Sequence, residues 1–337
     1  MNKLTKIGVS ALAGSLAMTA ANAIEMSVSG SAAGALATSD ENGKAFFYQY
    51  DSVVFSAAGE TDGGISVTAK MELDNDNPAT NAGMDDRSFS FGTESMGTIS
   101  FHGHGGNSVM GAWDDITPNA FEEVWDGTNG ADVRIDGRSG NNIIQYDSPS
   151  FNGVMIKVAH QQGNDAAAAA GNNIDESAYT DFGIQVSPEM VEGLTLGYAT
   201  AEMDDTATTT IDHETYFIKY AIGGLTVALQ EHETDGSAAS KTDESTTWGV
   251  SYAVSDNLTI AYGERDYDDD TSDSTSTSLE QNDSGFSASY TMGGMTIGGH
   301  MNQNDNVGGS NAVSADKESY EFSFCLLYTS PSPRDPH

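Results

Sequence analysis

Cysteine occurs once in 337 residues, at Cys325, which excludes a disulfide framework and a thiolate metal centre. Basic residues are scarce: 13 Lys and Arg stand against 50 Asp and Glu. So acidic a chain would repel a polyanion, and nucleic acid is excluded as a partner. Proline numbers only seven, three of them in the last thirteen residues, whereas glycine numbers 37. Beyond residue 23 no apolar run approaches the ~20 residues of a membrane-crossing helix. P-loop, His-Glu-x-x-His and serine nucleophile-elbow patterns are missing, so no enzyme chemistry is indicated. Gly-Gly-x-Gly-x-Asp repeats are missing too, which counts against a calcium-bound secreted β-helix.

The two ends read differently from the middle. Residues 1–23 have the three parts of a secretory signal peptide: Lys3 and Lys6, an apolar stretch over 7–20, and Ala21-Asn22-Ala23 as the cleavage site. Residues 325–337, CLLYTSPSPRDPH, resemble translated sequencing-adapter sequence and read as foreign to the protein; a disordered native tail is the alternative. Setting aside Lys3, Lys6, Arg334 and Asp335 leaves residues 24–324 with 49 acidic and 10 basic side chains, a net charge of about −39.

What fills that middle is strict two-residue alternation. Ile65, Val67, Ala69, Met71 and Leu73 alternate with Ser66, Thr68, Lys70 and Glu72; Tyr216, Ile218, Tyr220 and Ile222 enclose Phe217 and Lys219. The same rhythm recurs to Tyr320, Phe322 and Phe324, and no apolar row contains a charge. Such rows suit either a β-sandwich with the apolar face inward or a membrane barrel with it outward. The connections decide. Short ones (61–64, 93–97, 149–153, 187–193, 223–224, 255–257, 293–294) alternate without exception with long ones (37–45, 74–86, 105–140, 160–177, 201–213, 231–245, 264–284, 301–318). A barrel with tight turns at one rim and long loops at the other requires this sorting, and seven short plus eight long connections join sixteen strands. Tyr198, Tyr220, Trp248, Tyr252, Tyr262, Tyr290 and Tyr320 fall at strand ends, where an interfacial girdle would place them.

The longest connection, 105–140, has internal order. Thr117-Pro118 reads as a helix start and Gly127 as its stop. Phe121, Val124 and Trp125 share one helical face as a loop anchor, leaving Glu122, Glu123 and Asp126 on the other. A short helix of this kind fits a loop lying against a wall inside a water-filled tube, with its carboxylates turned to water.

In the number and order of these parts, from the signal peptide to the closing aromatics Ser319-Tyr320-Glu321-Phe322-Ser323-Phe324, the chain resembles the general porins of the Gram-negative outer membrane. The resemblance covers residues 1–324. It implies an all-β, transmembrane, sixteen-stranded antiparallel barrel with an inward-folded third loop, assembled as a homotrimer and ending in Phe. The run Gly30, Ala32, Ala33, Gly34, Ala35 in the first strand would let a neighbouring barrel approach closely.

The expected function is passive diffusion of small hydrophilic solutes and ions across the outer membrane. The alternative is a secreted or surface-attached β-sheet adhesin whose acidic loops are the working part. For the channel, the expected constriction sets Asp114, Asp115, Glu122, Glu123 and Asp126 of the third loop against Lys70, Arg87, Lys157 and Lys219 of the wall, with Arg134 and Arg138 leaving the loop. Carboxylates outnumber bases, so cations are the expected preference. No cofactor is expected. Asp74, Asp76, Asp268 and Asp270 are weak candidates for Ca²⁺ but without EF-hand spacing. His102 and His104 share one strand face and have no evident third metal ligand.

Overall fold

The computed structural model describes residues 24–39, 46–74, 83–114, 116–125, 137, 139–140, 142–163, 178–206, 209–236, 241–269, 279–310 and 312–329. The strands are β1 (Glu25–Ser39), β2 (Phe46–Glu60), β3 (Ser66–Asp74), β4 (Gly83–Thr93), β5 (Gly97–His104), β6 (Gly106–Asn107), β7 (Ser139–Gly140), β8 (Ile143–Asp147) and β9 (Val154–Gln161). They continue as β10 (Tyr179–Val186), β11 (Leu194–Thr206), β12 (Thr209–Ile222), β13 (Leu225–Gly236), β14 (Lys241–Ala253), β15 (Leu258–Asp269), β16 (Gln281–Met292), β17 (Met295–Asp305) and β18 (Lys317–Thr329).

Sixteen of them close into one antiparallel barrel, in which each strand pairs with its neighbours and β18 returns to β1. The two-residue β6 and β7 stand apart as a small ribbon at the root of the third long connection, while β5 pairs directly with β8. Closure leaves no sheet edge unpaired, the condition for a β-structure to sit in lipid. Among the described residues no helix is long and apolar enough to cross a membrane.

The alternation seen in the sequence becomes two opposite faces. Phe89, Phe182, Ile218, Trp248, Phe286 and Phe322 lie on one, all solvent-exposed in the isolated chain. Gln161, Asp181, Thr215, Gln230, Asp283 and Asn302 lie on the other, and all are buried. Tight turns follow the expected short connections; Gly223 and Gly293 supply the left-handed residue of the two Gly-Gly hairpins, each at φ 59°.

Three differences from the sequence reading have physical causes. Strands run further than the apolar rows: β11 and β12 stay paired to Thr206↔Thr209, and β12 and β13 to Ile211↔Gly236. The expected long connections at 201–213 and 231–245 are therefore mostly strand. Apolar alternation marks only the part of a strand that meets lipid, whereas backbone pairing continues through polar pairs such as Glu202↔Asp212. β18 also passes Phe324 and ends at Thr329, with Leu326 and Tyr328 extending the exposed row and Cys325 buried, so the barrel boundary expected at 324 lies inside a strand. Finally, the two glycines of β1 are already covered. A side chain at Gly30 would meet the Tyr328 ring, and one at Gly34 would meet Phe324 and Phe47 at 3.1 and 3.2 Å. The chain's own aromatics occupy the space that a neighbouring barrel was expected to use.

Candidate functional site

The site is built from residues 108–125 of the third long connection and the polar row of strands β10 to β18. The segment begins at a buried carboxylate. Asp181 on β10 accepts hydrogen bonds from the Met110 amide at 2.9 Å, the Tyr179 hydroxyl at 3.1 Å and the Ala159 amide at 3.1 Å. Val109 and Met110 are fully buried beside it. The Trp113 ring meets Phe217 of β12 edge-on at 5.1 Å, and its carbonyl accepts from the Gln230 side chain of β13 at 2.9 Å.

Further along, the described residues 117–125 of the expected helix are not helical; they form bends, turns and irregular backbone. The wall takes the backbone groups that a helix would have paired internally. The Ala120 amide donates to Ser287 Oγ at 3.0 Å. Asn302 donates to the Glu123 carbonyl at 2.8 Å and Asn304 to the Val124 carbonyl at 3.0 Å. Satisfying those groups from the strands removes the reason to coil.

Glycines make room for this contact. Gly249, Gly263 and Gly285 stand in register across β14, β15 and β16. A Cβ at Gly249 would lie 2.8 Å from the Pro118 carbonyl oxygen, and one at Gly263 or Gly285 would lie 3.2 Å from Val124 Cγ1. Phe121 occupies the corresponding space over Gly298 of β17. The segment ends on a buried ion pair: Arg265 of β15 holds Asp283 of β16 at 2.6 Å and places its guanidinium 4.8 Å over the Trp125 ring. Asn304 and Gln281 also donate to Asp283 at 2.7 and 3.0 Å.

Phe121 lies against Gly298, Val124 against Gly263 and Gly285, and Trp125 under Arg265. The acidic residues divide. Glu122 is half-buried, whereas Glu123 is only 3% exposed, against the expectation that both face water; without a helix the two no longer share a face. Asp114 is half-buried, and Asp115, Asp126, Arg134 and Arg138 lie outside the described residues.

The bases divide too. Lys70 on β3 is held between Glu72 at 3.0 Å and Asp86 at 2.9 Å. Lys157 on β9 pairs with Asp147 at 2.9 Å. His102 lies within electrostatic reach of Lys70, Asp86 and Asp147. Two lysines therefore face three carboxylates along β3 to β9. Lys219 is half-buried, with no carboxylate paired to it among the described residues. Arg87 is a correction: it is exposed on the apolar row with Met71 and Phe89, not on the polar one. A bulge in β4, where Met84 and Arg87 oppose Leu73 and Met71, turns Asp86 inward to Lys70 in its place. Among the described residues no group of three or more His, Cys, Asp or Glu is placed to hold a metal ion; Asp74 and Asp268 sit on separate strands, and Asp76 and Asp270 are outside the described residues.

Asp181, Gln230, Arg265, Asp283, Asn302 and Asn304 were not singled out from sequence. Their signal was faint: polar residues on a row expected to be polar. The in-register glycines were the clearer sign, since glycine inside a strand often marks the close approach of another backbone.

Residues 8–306 match the profile of the Gram-negative porin family. The chain belongs to that family. Solved structures agree in fold. The anion-selective porin from Comamonas acidovorans superimposes with a TM-score of 0.68 at 14% identity, covering 91% of this chain and 100% of that one. A loop-deletion variant of OmpT, an outer membrane protein of Vibrio cholerae, gives 0.66 at 10% identity, covering 91% and 100%. A multiple mutant of Rh. blastica porin gives 0.63 at 13% identity, covering 90% and 100%. No curated protein matches significantly by sequence. The porin therefore belongs to the outer membrane of a Gram-negative bacterium, with its apolar row against lipid, and its family and fold are those of channels rather than enzymes.

Proposed function

We propose that this porin is a passive diffusion channel for small hydrophilic solutes and ions, that it prefers cations, and that residues 108–125 narrow its lumen. In a membrane barrel the row opposite lipid lines the lumen. A segment resting on that row over β10 to β18 then leaves the wall of β3 to β9 as the facing side. The observation that carries the sign of the preference is on that wall: Lys70 and Lys157 are outnumbered by Glu72, Asp86 and Asp147 at contact distances of 2.9 to 3.0 Å. The expected basic wall is thereby neutralised by its own carboxylates, while Glu122 adds negative charge on the opposing segment. In confined water such charge is screened less than in bulk.

The Comamonas acidovorans porin is anion-selective by name. At 14% identity its likeness to this chain is one of fold, so the sign here rests on this chain's own side chains. Homotrimer assembly is proposed on family grounds, since the β1 glycines are filled from within. The adhesin alternative is set aside with the family shown.

Detergent-extracted protein added to planar bilayers is expected to give discrete conductance steps, and proteoliposomes carrying it to swell in small neutral sugars. Protein that stays in the aqueous fraction without detergent and never conducts would refute the channel.

A further inference from the structure

We propose that Phe46, Tyr48 and Tyr50 form a binding track for small organic cations of the quaternary-ammonium type, ending at Glu321 and Glu122. The inference rests on the reading that the polar row lines the lumen. The three rings occupy alternate positions of β2 on that row, with centroids 5.8 Å apart at each step and planes tilted by 31° and 25°. Across the β1 pairing they stand opposite Ala37, Ala35 and Ala33, whose small side chains leave room for them. The track starts at Phe46, the first residue of β2, which is 41% exposed. It ends where Tyr50 packs against Phe121, Ala33 and Cys325, so its lower end touches the segment that narrows the lumen.

An aromatic ladder on this row needs a reason. Elsewhere the exposed rings within the barrel strands, such as Phe89, Phe182, Phe286 and Phe322, lie on the apolar row, where lipid receives them; a half-exposed phenylalanine on a water-facing row gains nothing from water. Two carboxylates supply the chemistry. The Tyr48 hydroxyl donates to Glu321 Oε2 at 2.6 Å. Glu122 and Glu321 both act electrostatically on the phenols of Tyr48 and Tyr50. Ring faces attract cations, most strongly those that give up water easily. A quaternary ammonium has no hydrogen-bond donors and a weak hydration shell. It gains from the rings without leaving donors unpaired, and the carboxylates compensate its charge. A compact, strongly hydrated inorganic cation gains only from the carboxylates.

The test uses the whole protein in planar bilayers with equal KCl on both sides. Choline and its uncharged carbon isostere, 3,3-dimethyl-1-butanol, are added in turn. Choline is expected to reduce the K⁺ current saturably, and the isostere at equal concentration to leave it unchanged. Phe46→Leu and Tyr50→Leu are each expected to raise the half-effect concentration of choline about three- to tenfold. Tyr290→Leu, on the lipid-facing row, is expected to keep the wild-type value. Equal effects of the two compounds would show a merely apolar surface and overturn the proposal. So would a channel indifferent to choline, or wild-type block in both Phe46→Leu and Tyr50→Leu. Phe46 is exposed at a strand end, so its variant reports even if Tyr50→Leu does not fold. A wild-type reversal potential showing anion preference would refute the proposed selectivity while leaving choline block through these rings intact, which keeps the two failures distinct.

Discussion

Gly249 and Gly263 face each other across β14 and β15, and the third connection lies over both, with Pro118 on the first and Val124 on the second. Neither strand position can carry a side chain without moving the segment. Gly263→Val would add bulk where even one carbon stands 3.2 Å from Val124 Cγ1. Overpacking of this kind costs about 1–3 kcal/mol. The thermal unfolding midpoint is expected to fall and the single-channel current to become noisier as the segment loses its seat. A quiet, wild-type current would show that the segment does not use this lane.

Asp283 is the counter-charge of Arg265 and an acceptor for Asn304 and Gln281. Asp283→Ala takes away the carboxylate that a buried guanidinium meets at 2.6 Å, and breaking a buried ion pair costs about 3–5 kcal/mol. Asn304→Ala removes only the donor to the Val124 carbonyl and to Asp283, worth about 1–3 kcal/mol. Heat denaturation of the two variants side by side is expected to rank Asp283→Ala clearly below Asn304→Ala, with wild type highest.

The strands were legible because an apolar row and a polar row impose a period of two, and the sorting of short and long connections then told a barrel from a sandwich. Phe89 and Phe91, or Tyr216 and Ile218, could hardly be read otherwise. Strand length beyond the membrane was not legible, because Glu202↔Asp212 pairs through its backbone and leaves no apolar trace. The conformation of 117–126 was misread for a similar reason. Local pattern favoured a helix, but the partners of Ala120, Glu123 and Val124 are Ser287, Asn302 and Asn304, more than 160 residues away. Arg87 could have been placed: it shares parity with Phe89, and only the bulge that puts Asp86 beside Lys70 was hidden.

The β1 glycines give a third prediction. Gly34→Leu would collide with Phe324 and Phe47 of the same chain. The variant is expected to weaken the β1–β18 closure itself, lowering the unfolding midpoint of detergent-solubilised protein even where cross-linking shows only monomer. An intact monomer that merely fails to form cross-linked trimers would return Gly34 to the role of an interface residue.

The lysines test the sign of the wall. Lys219 has no paired carboxylate among the described residues, so Lys219→Met removes a positive charge from the polar row and is expected to raise cation preference. Lys70→Met leaves Glu72 and Asp86 without the ammonium between them and is expected to raise it as well. KCl reversal potentials that stay at the wild-type value in both variants would show that these lysines do not face the permeating ions.

The central claim is a cation-preferring lumen narrowed by a segment that presents Glu122 and buries Glu123. Zero-current potentials across a bilayer separating concentrated from dilute KCl test it most directly. The wild type is expected to show the sign of cation preference, Glu122→Gln to reduce it, and Glu123→Gln, at 3% exposure, to change it less. Anion preference in the wild type, or a larger loss from Glu123→Gln than from Glu122→Gln, would contradict it.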